Sequence, residues 1–163
     1  MLNKTVLLAI RALLVVINAP PGTIIPPRII ATAIGESPAY MAKVLRLLVR
    51  ARVLRAERGV KGGVFCIRHS SEITLLEIVE ACQGAIHGNY CRLEDLKSAC
   101  AFHNAAAELE RAIVKVLSRW TLADMEKVPG PAVHMRGGMG CMMAGFPIAF
   151  DRTSQTRRKR GRP

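Results

Sequence analysis

Cys91, Cys100 and His103 stand within "NYCRLEDLKSACAFH", residues 89–103, directly before a long Ala/Leu/Ile/Val pattern. Thiolate sulfur and imidazole nitrogen suit zinc or iron. Cys100 and His103 are three residues apart at a predicted helix start, so both can point to one side. A closed zinc site wants a fourth ligand, and Glu94, Asp95, His87 and the distant Cys141 are the candidates. An iron-sulfur cluster takes three or four good ligands, one of which can be oxygen, nitrogen or a group from another chain. The same cysteines could equally be small apolar residues at a helix start, and on chemistry alone both readings stand. Cys66, in a predicted strand, and Cys82, behind Ile78 and Val79 on a predicted helix, read as core residues. Cys141 lies in a Gly/Met tract and stays unassigned; His69, His87 and His134 read as surface histidines.

A second chemistry lies in the charge. Residues 1–68 carry eleven Lys/Arg against two acids, residues 69–150 seven against nine, and residues 151–163 six against one. Clustered cations release condensed counterions when they meet phosphates, so this distribution points to a polyanion partner; a solvated basic surface is the alternative. Five cysteines at wide spacing, an odd count, do not make a secreted disulfide scaffold and fit a reducing cytoplasm. The run "TVLLAIRALLVVINA" is too short to span a bilayer and is interrupted by Arg11, so no membrane partner is expected.

These groups need elements to position them. Residues 4–18 form a predicted helix with Val6, Ile10, Leu13, Leu14 and Ile17 on one face, ended by "APPGTIIPP". A short helix "RIIATAI" stops at Gly35, and Ser37 caps a third helix with Pro38 at its first position. In that helix Met41, Val44, Leu45 and Leu48 recur at helical spacing on one side and Lys43, Arg46 and Arg50 on the other. "RVLRAE" and "GVFCIRH" read as strands joined by "RGVKGG", a hairpin tip with three glycines and two cations. Three helices followed by a basic hairpin is the order of a winged helix-turn-helix, whose third helix enters the major groove while the wing touches the backbone or minor groove.

Thr74 and Glu77 make a candidate capping box for a helix ending at Gly84. "NAAAELERAIVKVLSRW" carries Leu109, Ala112, Ile113, Val116, Leu117 and Trp120 on one face, a stripe that calls for a second chain or for packing back on its own. A homodimer is the simpler arrangement, because two-fold DNA half-sites match it. Thr121 and Asp124 cap a further turn, and the chain closes on a Gly/Met-rich stretch and the basic "TRRKRGRP". The fold class is therefore mainly α with a small β-hairpin wing: residues 1–83 the winged helix-turn-helix, 84–103 a cysteine-containing sensor loop, 104–128 the dimerisation helix with a short following helix, and 129–163 a tail.

Residues 4–127 resemble the bacterial iron-sulfur-responsive winged-helix regulators, the family containing IscR and NsrR. The resemblance is carried by "AIRALLVV", "IGESPAYMAKVLRLLVRARVLRAERGVKGGVF", "EITLLEIVEACQG" and "CAFH" followed by a long helix and "TLADM". It implies a cytoplasmic homodimer that reads a partly palindromic promoter, usually as a repressor. Ser37, Tyr40, Lys43 and Arg46 match the recognition-helix region and Arg58 and Lys61 the wing; with Arg28 and Arg50 they form the candidate DNA-contacting set. It further implies a [2Fe-2S] or [4Fe-4S] cluster, with Cys91 as first cysteine, Cys100 as last and His103 at the family's histidine position. This chain has no middle cysteine in "RLEDLKSA" and no acid before Glu36, so a regulator without a cluster is carried beside one with it. The competing class is a basic RNA-associated or nonspecific nucleic-acid-binding protein. An enzyme is not expected: no nucleophile, base and orienting group converge, and Gly62-Gly63 belongs to a hairpin tip instead of a phosphate loop.

Overall fold

A computed structural model describes residues 2–60, 62–86 and 100–126. Helix α1 (Lys4–Ile17) begins at Asn3, whose side-chain oxygen accepts the Val6 N–H at 3.0 Å, and ends where the Asn18 amide donates to the Leu14 carbonyl at 2.8 Å. The predicted face is too narrow. Leu8, Ala9, Ala12, Val15 and Val16 are buried as well, and Ile17 only partly. The physical reason is enclosure by α2 (Pro27–Ile34), α3 (Pro38–Arg50), α4 (Leu75–Gln83) and α6 (Leu122–Glu126), which leaves α1 an interior helix.

Helix α2 stops at Gly35, in the left-handed region at φ +77°, where the Glu36 N–H returns to the Ala31 carbonyl. Helix α3 starts as its cap predicts, with Ser37 Oγ accepting the Tyr40 N–H at 3.3 Å. Met41, Val44, Leu45 and Leu48 are buried, each contributing roughly 1.5–3 kcal/mol of hydrophobic stabilisation before chain entropy is set against it.

Strands β1 (Arg55–Glu57) and β2 (Gly63–Phe65) pair antiparallel, Arg55 opposite Phe65 and Glu57 opposite Gly63. They are shorter than predicted, because Val53 and Leu54 turn into the core instead of extending the ladder. One pairing has no local signature: Ile25 and Val64 exchange two backbone hydrogen bonds of 2.9 Å, lashing the wing to the loop after α1. Gly63 is required here, since a Cβ would run into the Ile25 carbonyl.

Thr74 and Glu77 form the predicted capping box of α4, and Gly84 ends it. Helix α5 spans Ala101–Arg119, starting earlier than the Asn104 expectation, so His103 lies in its first turn. Its far end is sewn to the start of α4: the Leu75 N–H donates to the Trp120 carbonyl at 2.9 Å and the Leu122 N–H to the Ile73 carbonyl at 2.8 Å. Thr121 Oγ1 donates to Asp124 at 2.8 Å, the predicted cap of α6.

Glu77 does more than cap. Its carboxylate accepts from Arg68 at 2.7 Å, tying α4 to the chain leaving the wing. Burial works to raise its pKa, but the Arg68 hydrogen bond and the Thr74 backbone bond outweigh it and hold the group below its ordinary 4.5. A depressed folded-state pKa gives stability that is present above the unfolded value and lost as pH falls through the folded one. The melting temperature should therefore drop as pH is lowered below about 4.5, and Glu77→Gln should flatten that drop. Thermal melts of both proteins across this window measure it; equal slopes would show that Glu77 has no part.

Candidate nucleic-acid interface

Burying one side of α3 turns Lys43, Arg46 and Arg50 outward, and all three are solvent-exposed with no ion pair among the described residues. Arg28, on the first turn of α2, and Arg58, at the end of β1, are exposed as well. Between α3 and the wing runs a groove lined by Ala42, Arg46, Val49, Ala56, Gly59 and Gly62. Arg46 thus stands where the helix and the wing face one another. Lys61 lies outside the described residues; its neighbours Gly59 and Gly62 close the wing turn with a 2.9 Å backbone hydrogen bond.

Two candidates have structural work. Ser37 Oγ is occupied as the α3 cap. The Tyr40 hydroxyl lies 2.9 Å from Thr5 Oγ1, and Lys4 Nζ sits 5.8 Å from the Tyr40 ring centroid and 3.0 Å from Glu36 Oε1. These ties fix the recognition helix to the N-terminal turn of α1. Thr5, Lys4 and Glu36 were not foreseen, since nothing local marks a contact between separate helices. Arg52 and Arg55 were also missed as candidates; both are exposed beside Arg58.

Cys100 is the exposed residue preceding α5 and makes no side-chain capping bond. His103 follows in the first turn of α5, and its Nδ1 is buried with no hydrogen-bond partner among the described residues. An orphaned imidazole nitrogen and, three residues before it, a free thiol are donor types that suit a soft or borderline metal such as iron. Cys91, the third candidate, lies outside the described residues, as do Cys141, Glu94, Asp95 and His87; among the described ones no three His, Cys, Asp or Glu side chains converge. Cys82 packs against the core as predicted, and burial pushes its thiol up to about 11, which keeps it protonated and inert. The Cys66 thiol donates to the Arg68 carbonyl at 3.2 Å.

Leu117 of α5 is 7% exposed, whereas Leu109 is 62%, Val116 49% and Trp120 41% exposed. One edge of the predicted stripe packs on the domain and the other faces solvent. Among the described residues no helix is long and apolar enough to cross a membrane.

Known proteins share this arrangement. The chain is 31% identical over 103 residues to protein aau3 of Rhizobium meliloti, covering 60% of this chain and 67% of that one. CymR of B. subtilis, described as its global cysteine regulator, superposes with a TM-score of 0.61 at 19% identity, over 77% of this chain and 95% of its own. T. potens IscR superposes with a TM-score of 0.56 at 19% identity, over 77% and 85%. The Rrf2 profile, described as an iron-dependent transcriptional regulator, matches residues 2–127. The chain belongs to the Rrf2 family of transcriptional regulators, and is a DNA-binding regulator rather than an enzyme.

Proposed function

We propose that two copies of this chain pair through α5 and set their α3 helices and wings on the half-sites of a partly palindromic promoter, repressing transcription in the cytoplasm. The observation that carries this reading is the two-faced α3, buried through Met41, Val44, Leu45 and Leu48 and bare at Lys43, Arg46 and Arg50. Arg46 reads base edges in the major groove; Arg28, Ser37, Tyr40, Lys43, Arg50, Arg58 and Lys61 hold the phosphate backbone and set the register. The working division is residues 1–83 for DNA, 84–103 for sensing, 104–128 for pairing and 129–163 as a basic tail. Competition between promoter duplex and random RNA tests it. Duplex preference that falls steeply with salt is expected, and equal displacement by RNA would favour the RNA-associated alternative.

The signal we assign is redox state, iron-sulfur status or nitric oxide, received at Cys91, Cys100 and His103. Cys91, Cys100 and His103 would hold an iron-sulfur cluster, which when bound would supply redox-sensitive iron–thiolate chemistry. Cys100 and His103 stand at the head of α5, so holding or releasing them changes the seating of the helix that spaces the two α3 helices. Cys100→Ala should remove most iron and acid-labile sulfide from protein purified without oxygen, along with its visible absorption. An unchanged spectrum would remove Cys100 from the ligand set. "RLEDLKSA", without a middle cysteine, favours a second reading in which the regulator carries no cluster; the wild-type protein would then contain neither iron nor sulfide.

A further inference from the structure

Helix α3 closes with the Arg52 N–H bonded to the Val49 carbonyl at 3.0 Å and the Val53 N–H to the Leu48 carbonyl at 3.0 Å. The residue between these bonds must be left-handed, a place that favours glycine. Here it is Arg52, at φ +60°, the one non-glycine residue with positive φ among those described. An arginine gains nothing for the fold at this position: its backbone is strained and its side chain is exposed, with no ion pair among the described residues. What it does gain is neighbours of like charge. Arg52, Arg55 and Arg58 line one concavity together with Val49, Leu54, Ala56 and Ile67, and Val49 and Ala56 also line the groove between α3 and the wing. Three guanidiniums around one hollow repel each other unless an anion lies among them.

We infer that Arg52, Arg55 and Arg58 form a phosphate-binding site that extends the DNA contact past the wing, with Arg52 held at a cost in fold stability for this purpose. The inference rests on the proposed DNA-reading face, for that groove adjoins the hollow. A guanidinium presents a planar fork of donors that matches phosphate oxygens, and contacts of this kind add affinity and register without reading sequence.

The test compares wild type with Arg52→Gly, Arg52→Ala and Arg52→Lys, using the full chain, a promoter duplex and a scrambled duplex over a range of salt. Arg52→Gly should melt about 2 °C higher, because relief of the left-handed strain is a stabilisation of the size that shifts a domain by a few degrees. Arg52→Gly and Arg52→Ala should each bind both duplexes roughly fivefold more weakly at moderate salt, with the slope of log affinity against log salt reduced by about 1. Arg52→Lys, which keeps the charge but loses the fork, should keep the wild-type slope and recover only part of the affinity, without the gain in melting temperature. Wild-type affinity and slope in both the Gly and Ala variants would overturn the inference, as would a folded Lys variant whose slope is as low as that of the Ala variant. The wild-type arm tests the underlying reading separately: a wild-type protein that ignores duplex DNA refutes the recognition face itself, whatever Arg52 does.

Discussion

Leu109→Glu should convert the proposed dimer into a folded monomer and weaken promoter binding about 10²- to 10⁴-fold. Leu109, Ile113, Val116 and Trp120 recur at four-, three- and four-residue steps, so they form one stripe along α5, and the Leu109 end of that stripe is more than half exposed in a single chain. Such a side chain leaves the single-chain fold indifferent to its replacement, and the circular dichroism spectrum should not change. In a paired seam the same carboxylate would be desolvated opposite its symmetry mate, which strongly disfavours association. Losing the second subunit turns two linked half-site contacts into one, and the effective concentration that linkage provides is worth the factor stated. Sedimentation velocity and promoter binding measure the two halves of this prediction. A monomer that binds as tightly as wild type would show that one recognition unit suffices; a variant that stays dimeric would move the seam away from Leu109.

Arg46→Ala should lower discrimination between promoter and random DNA by about 10- to 100-fold, whereas Arg58→Ala should weaken both alike. The difference follows from position. Arg46 is exposed and lines the groove between α3 and the wing, where the proposed docking would bring a guanidinium to base edges, and a bidentate base contact is worth about 1–3 kcal/mol of discrimination. Arg58 stands on the wing, where the proposed partner is phosphate and each contact would carry counterion release instead of sequence information. Titrations of both variants against promoter and scrambled duplexes separate the cases. An equal loss on every DNA from Arg46→Ala would reassign it to the backbone.

Much of the scaffold for these experiments was legible locally. Pro38 behind Ser37, Thr74 with Glu77, and Thr121 with Asp124 mark helix starts because a side-chain oxygen reaches orphan N–H groups only two or three residues away. The two faces of α3 were legible for the same reason, since a period of 3.6 residues is a property of the helix alone. Other features were not. The all-round burial of α1 depends on four helices arriving from elsewhere in the chain, and no periodicity in its own residues announces them. The Ile25–Val64 pairing and the Thr5–Tyr40 tie join segments distant in sequence, so neither has a neighbour that signals it. Nothing local marks Arg52; its left-handed backbone is set by how α3 must turn into Val53 and Leu54.

By itself the sequence determined where the capped helices begin, which side of α3 is basic, that the wing tip is cationic, and that thiol and imidazole donors cluster in the chain around the start of α5, because these depend on side-chain chemistry and spacing over a few residues. Only the tertiary structure decided which cations share a groove, that Tyr40 is tethered to α1, that His103 Nδ1 is buried without a partner among the described residues, and which edge of α5 is left facing water. Those are relations between elements brought together by packing, and the free energy that fixes them comes from burying α1 among its neighbours rather than from any single stretch of chain.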